Sequence, residues 1–314
     1  KRKIRLILGC DEESNWEDMA YYTAHADMPR IGFSPDASFP VINTEKGMLH
    51  FQLKAEAAKT GLQVKHWMTG ERVNVIPGHA EMLLEGGEAL AEQVRAYAKE
   101  TNLPYTAEVT AEGVKVTAEG IPGHSAYPEG RRNAIGMMLC LLLRLGVEGP
   151  LKTIAEAVGM EHDGASLGCA CADKVSGPLT CNMGIMRVEN GQIFCTLDDR
   201  CPVEADQEKL IAATRAHLPG VQVEVIEQKA PHHVPAEGEL VSSLLAAYHE
   251  ETGLPAEACS TGGGTYAKVL EQGVAFGASF PDDEDLAHQA NEYATISGLM
   301  KSMRIYANAL VRLA

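Results

Sequence analysis

A change of texture near residue 48, reversed near residue 237, is the feature that most constrains the fold of this 314-residue chain. Outside those limits the apolar residues come in short continuous runs, as in Ile4-Arg5-Leu6-Ile7-Leu8 and Ile31-Gly32-Phe33-Ser34, the pattern of strands buried on both faces of a sheet. Inside them, apolar and polar residues alternate. Residues 105–110 and 114–118 flank Glu112-Gly113, with Ala107, Val109, Val114 and Val116 supplying the alternation. Residues 184–189 and 192–198 flank Asn190-Gly191, the strongest short-range hairpin signal. Helical spacing recurs at residues 90–99, 133–145 and 207–218. This predicts an α/β domain with a mixed central sheet flanked by helices, interrupted by an α+β insertion built on an antiparallel sheet. The expected division is 1–45 and 238–314 for the interrupted domain and 46–237 for the insertion. The length fits two cores, since single cores stop growing at roughly 250 to 300 residues.

Residues 4–8 are predicted to form a buried strand that ends in Asp11-Glu12-Glu13. Carboxylates at the C-terminal edge of an open α/β sheet lie where ligands bind. Two of them emerging together are costly unless a cation or a reacting proton keeps them there; a solvated acidic turn fits these residues alone equally well. Lys1 falls almost inside this strand, so an upstream segment is expected to be missing. A helix is predicted at residues 16–24 and a strand at 31–34, stopped by Pro35 with Asp36 at its end. Past residue 240 come a helix at 240–252, the turn Ser260-Thr261-Gly262-Gly263-Gly264-Thr265, and a strand near 274–280. The final helix carries Ile296, Leu299, Met303, Tyr306 and Leu310 as one core-facing stripe.

Composition excludes some function classes. Lys and Arg number 27 against 43 Asp and Glu, a formal charge of -16. Nucleic acid and anionic membrane both call for a basic footprint and are not expected partners. Eight scattered cysteines in a chain too large to need staples read as reduced thiols in a cytoplasmic protein. Cys169-Ala170-Cys171 with Cys181 lacks the paired spacing of zinc ribbons and reads as incidental. The longest apolar stretch, residues 135–145, is broken by Gly136 and Arg144 and reaches about half a bilayer span.

Glu12, Glu13, Asp36 and His288 are the hard or borderline donors that suit zinc or manganese, three of them at strand-to-loop positions on one side of the same predicted sheet. Singly, each has an ordinary surface reading. His124 sits in Ile121-Pro122-Gly123-His124-Ser125, at an apolar edge that turns toward a helix. Arg200 closes Asp198-Asp199-Arg200, where a guanidinium either grips a carboxylate with two prongs or pairs with a neighbouring Asp. Gly262-Gly263-Gly264 either presents backbone donors to an anion or is a flexible turn, and it lacks the Lys of a phosphate loop.

These stretches carry a resemblance. Gly9-Cys10-Asp11-Glu12-Glu13-Ser14, Phe33-Ser34-Pro35-Asp36, Arg72-Val73-Asn74-Val75-Ile76-Pro77, Gly123-His124-Ser125, Asp199-Arg200, Gly262-Gly263-Gly264-Thr265-Tyr266 and His288 occur in this order. With them the chain resembles the di-zinc metallopeptidase family of bacterial dipeptidase V, aminoacylases and succinyl-diaminopimelate desuccinylase. The carnosinase-like dipeptidase V branch is matched most fully, through Glu12-Glu13-Ser14-Asn15-Trp16 and Ser34-Pro35-Asp36-Ala37. The resemblance implies a phosphorylase/hydrolase-like catalytic domain carrying an inserted lid, and hydrolysis of dipeptides with a free C-terminal carboxylate. It implies Glu12 as general base toward a metal-bridging water, Glu13 and His288 as ligands of one divalent ion and Asp36 of the other, zinc first and manganese second. It further implies His124 as the group that stabilises the oxyanion. Asn74 and Arg200 are implied to hold the substrate, Arg200 through its carboxylate, with Gly262 and Gly263 lining the pocket.

The family's upstream His-x-Asp motif and its bridging Asp have no counterpart here. His25, His50, His66, His79, His232 and His233 read as surface or structural residues. Two protein ligands rarely hold a catalytic zinc, which takes three plus water. The chain by itself is therefore expected to be an incomplete, inactive dipeptidase, with a small peptide and a missing N-terminal fragment as partners, and a monomer because the branch's larger lid can complete the pocket within one chain. An N-acyl amino acid amidohydrolase or desuccinylase on the same scaffold, and a metal-free non-catalytic relic, are the rival readings.

Overall fold

The computed structural model describes every residue except 1, 15, 285 and 287–290. The chain divides into two compact units, residues 47–230 and residues 1–46 with 231–314.

The unit of residues 47–230 is built on eight antiparallel strands in the order Gln222–Lys229, Gly47–Glu56, Gln192–Cys201, Thr180–Glu189, Val64–Thr69, His79–Leu84, Gly113–Glu119, Tyr105–Thr110. Both expected hairpins are present. Asn190 and Gly191 both have positive φ, 52° and 73°, which matches the right-handed twist of the strands they join. Register runs from Glu189↔Gln192 to Thr180↔Arg200, so the strands extend beyond the stretch where alternation is visible. Leu49, Phe51 and Leu53 alternate onto the core face of one strand and are fully buried. Each such side chain contributes about 1.5 to 3 kcal/mol. Helices Glu88–Thr101, Ala134–Arg144, Pro150–Val158 and Gln207–His217 share that core. Ala134–Arg144 starts cleanly because the Asn133 side chain accepts the Ile135 and Gly136 N–H groups.

The unit of residues 1–46 and 231–314 has a five-stranded mixed sheet. Ile31–Ser34 runs parallel to Gln272–Ala275, and Val41–Glu45 pairs with Ala258–Thr261 in parallel and with His232–His233 antiparallel. Helices Glu239–Thr252 and Ile296–Leu313 enclose a core of Phe39, Val41, Tyr248, Val274, Phe276 and Ile305. Its rings meet edge to face, Phe39 and Phe276 at 5.1 Å between centroids.

Three expectations for this unit are corrected. Residues 4–8 form no strand: Ile4, Leu6 and Leu8 are 63%, 81% and 84% exposed. No described strand offers them a ladder. Arg2 instead bonds the Ala314 carbonyl and Arg5 the Asp27 carbonyl, and residues 2–7 line an apolar cavity of about 550 Å³ with Phe33, Leu240, Tyr306 and Leu310. On helix Ile296–Leu313 the buried positions are Ser302, Ile305 and Ala309, while Ile296, Leu299 and Met303 are exposed. Small Ser302 and Ala309 face the core that the larger residues were expected to fill. The strand near 274–280 is two pieces, Gln272–Ala275 and Ala278–Ser279.

Candidate functional site

In the unit of residues 47–230, Asp198 and Arg200 sit two apart on strand Gln192–Cys201 and therefore on one face. Arg200 Nε lies 2.8 Å from Asp198 Oδ1, and Nη2 donates to Oδ2 at 3.0 Å. Of the two readings of Arg200, the neighbouring-Asp pair is the one seen, but it is buried rather than superficial. Across the sheet, register sets Asp198 opposite His50 and His50 opposite Glu227. His50 Nε2 is 3.2 Å from Asp198 and Nδ1 is 2.8 Å from Glu227.

This row of alternating charge shifts its own titrations. Burial draws the His50 imidazole down, but the bonds and charges of Asp198 and Glu227 outweigh it and push it up to about 9. Burial likewise disfavours the Asp198 anion, yet His50 and Arg200 hold its carboxyl at about 2. Glu227 is held at about 2 by its bond to His50, against partial burial. For Asp199, on the opposite face beside Cys181, burial outweighs the Cys181 bond and the charge of His50 and lifts its carboxyl to about 7.

The same Asp198 accepts from Ser125 Oγ at 2.5 Å. Ser125 N–H donates to the Asn74 carbonyl at 3.0 Å, and Gly123–His124 pairs with Val75–Ile76. Asn182 pins the other side of that segment, its amide donating to the Val75 carbonyl at 2.9 Å. His124 is exposed, and its Nδ1 accepts the Ala126 N–H at 3.1 Å, which puts the proton of the neutral ring on Nε2. Three sequence candidates, Asn74, His124 and Arg200, thus meet around Ser125 and Asp198.

In the other unit, Glu12 and Glu13 sit on a turn wrapped around Asp11 and Asp18. Asp11 takes the Glu17 N–H at 2.8 Å, and Asp18 takes the Cys10 N–H at 2.6 Å and the Tyr266 hydroxyl at 2.7 Å. Tyr266 also receives the Asp11 N–H at 3.0 Å, so the acidic turn and the glycine-rich segment are tied together. Buried Glu45 holds that segment from below, accepting Thr265 Oγ1 at 2.8 Å and Thr265 N–H at 3.1 Å; burial raises its carboxyl. Gly262 is buried, and the Gly263 N–H donates to Thr261 Oγ1 at 3.1 Å. Asp36 is exposed between strands Ile31–Ser34 and Ala37–Ser38. His288 lies outside the described residues. Among the described residues no group of three or more His, Cys, Asp or Glu side chains is placed to hold a metal ion. No helix among them is long and apolar enough to cross a membrane.

By sequence alone, Asp198 is only a surface partner of Arg200, Ser125 and Tyr266 occur only within motifs, Glu45 has no role and His50 is set aside. The two-residue spacing of Asp198 and Arg200 was the available signal. The His50 and Glu45 contacts depend on pairings between distant strands.

The profile of peptidase family M20/M25/M40 matches residues 1–312. The chain belongs to this family. A Bacillus subtilis protein named "Putative dipeptidase YtjP" is 33% identical over 325 residues, covering all of this chain and 70% of its own length. A Staphylococcus saprophyticus protein named "Putative dipeptidase SSP1012" is 31% identical, again over all of this chain and 70% of its own. Aminopeptidase PepT from Bacillus cereus superposes with a TM-score of 0.52 at 12% identity, over 96% of this chain and 62% of that one; this likeness is one of fold. M20 peptidases combine a catalytic and a lid domain, hydrolyse peptide bonds, and are generally metal-dependent.

Proposed function

We propose that this chain acts in a metal-dependent dipeptidase on small peptides with a free C-terminal carboxylate. The observation that carries the reading is the convergence of Asn74, His124 and Arg200 around Ser125 and Asp198 in a chain of a peptidase family. Arg200 offers a planar fork for the carboxylate. His124, with its proton on Nε2, donates to the carbonyl oxygen as it gains charge, a contribution of about 3 to 4 kcal/mol. Glu12 serves as general base and passes its proton to the leaving amine. Gly262 and Gly263 serve substrate binding from their own segment.

Glu13, Asp36 and His288 are assigned to two divalent ions, zinc first and manganese second. Such ions would supply Lewis acidity and a water of lowered pKa. Two protein ligands at an ion are fewer than the three plus water that a catalytic zinc takes, so residues 1–314 alone are expected to turn over no dipeptide. The protein is read as cytoplasmic and monomeric.

The test offers residues 1–314, with zinc or manganese, a free dipeptide, its C-terminal amide and an N-succinyl amino acid, following binding and product release. Binding of the free dipeptide well above both others supports the reading. Preference for the N-succinyl compound would move the chain to the amidohydrolases, binding of none of the three would make it a relic, and full turnover would overturn the expected inactivity.

A further inference from the structure

One buried carboxylate bonds Arg200 and the residue that follows His124, the two places where the proposed reaction holds the substrate's carboxylate and its oxyanion. Asp198 Oδ2 accepts from Arg200 Nη2 at 3.0 Å and from Ser125 Oγ at 2.5 Å, while Oδ1 lies 2.8 Å from Arg200 Nε and 3.2 Å from His50 Nε2. Ser125 directly follows His124 and donates its N–H to Asn74, which anchors the turn carrying the imidazole. The side chain of Asp198 is wholly buried, so it meets no substrate itself. We propose that Asp198 is a positioning residue that sets the Arg200 guanidinium and the His124 turn at a fixed separation, so that carboxylate recognition and oxyanion stabilisation are adjusted by one group.

The physical case rests on geometry. A guanidinium forked onto a carboxylate loses its rotational freedom, and a second bond from the same carboxylate to Ser125 transmits that fixed position to the neighbouring turn. His50 holds Asp198 from the adjacent strand and is itself held by Glu227 at 2.8 Å, so the carboxylate cannot swing away from either client. A dipeptide has a set distance between its scissile carbonyl and its terminal carboxylate. Fixing the two protein groups to one another therefore selects for cleavage of the bond one residue from the free carboxylate.

This inference rests on the dipeptidase reading, and the experiment separates the two. The ratio of affinities for a free dipeptide and its C-terminal amide is measured by calorimetry on residues 1–314, and the His124 ring nitrogens are followed by NMR with 15N-labelled histidine. The wild-type chain is expected to prefer the free carboxylate by about tenfold or more. Arg200→Lys lowers the ratio and leaves the His124 resonances in place. Asp198→Asn lowers the ratio toward one and moves the His124 resonances. Ser125→Ala moves the His124 resonances and lowers the ratio less than Asp198→Asn does. If Asp198→Asn does not fold, Ser125→Ala decides: unmoved His124 resonances overturn the proposal. A folded Asp198→Asn chain with wild-type ratio and resonances also overturns it. A wild-type ratio of one would sink the dipeptidase reading instead, while the His124 shifts still report whether Asp198 positions the turn.

Discussion

The acidic residue that holds Arg200 and those proposed to meet metal, one set in each unit, are placed in opposite ways. In residues 47–230, Asp198 is buried and meets Arg200, His50 and Ser125 within the same unit. In the other unit, Glu13 and Asp36 are exposed, Glu12 is half-buried, and no third donor among the described residues joins them into a metal cluster. A buried charge is tolerated only when paired and hydrogen-bonded, so the first arrangement is complete in itself. Exposed carboxylates cost little to leave in water. The substrate-holding groups are thus tied to one buried carboxylate, whereas the described carboxylates of the other unit are not gathered into a metal cluster.

Substitution should expose this contrast first in stability. Asp198→Ala removes a buried carboxylate that pairs with both Arg200 and His50 and should cost about 3 to 5 kcal/mol, whereas Asp36→Asn and Glu13→Gln should stay within about 0.5 kcal/mol of wild type in urea unfolding. Similar losses at all three positions would break the comparison.

Asp199 sharpens it, because burial of this carboxyl outweighs the stabilising charge of His50. Its pKa is about 7 folded against about 4 unfolded, so the folded state holds the extra proton and stability falls as pH rises through that window. Asp199→Asn should flatten the profile between pH 4 and 8, gaining up to about 4 kcal/mol at the upper end. An unchanged profile in pH-dependent urea unfolding contradicts the assignment.

His50 gives the next effect down. Its pKa is raised to about 9, so its contribution is fully present below pH 6.5 and is lost as pH rises through 9. His50→Gln should remove up to about 3 kcal/mol of stability at pH 6 and much less at pH 10. A loss that does not vary with pH would mean that packing, not charge, accounts for the residue.

The smallest effect belongs to the exposed apolar run. Leu6→Ser and Leu8→Ser should change unfolding free energy by less than about 0.5 kcal/mol, while Leu53→Ala in the other unit's core should cost about 2 to 5. A large loss at Leu6 would restore the buried strand that its sequence suggested.

That run shows where sequence stops being informative. Five aliphatic-rich residues look the same whether a neighbouring strand covers them or not, and the neighbour is a property of the whole sheet. The Asn190-Gly191 hairpin was legible because its information is local: two residues that accept positive φ between alternating strands. The final helix was legible in period but not in phase. Its buried face is Ser302, Ile305 and Ala309, about 100° around from the stripe through Leu299, Met303, Tyr306 and Leu310. Hydrophobicity favoured the larger residues, but close packing took the smaller ones. At the site, Asn74, His124 and Arg200 stood out by type and order. The row Glu227, His50, Asp198 did not, since three strands far apart in sequence must pair before those residues touch.

The most direct test of the central claim is calorimetric titration of residues 1–314 and of Arg200→Met with one dipeptide and with its C-terminal amide. Recognition of the free carboxylate by Arg200 predicts a preference of about tenfold or more for the dipeptide in the wild-type chain, abolished in Arg200→Met with little change in amide binding. Equal affinity for the two ligands in the wild-type chain, or an undiminished preference in Arg200→Met, would contradict it.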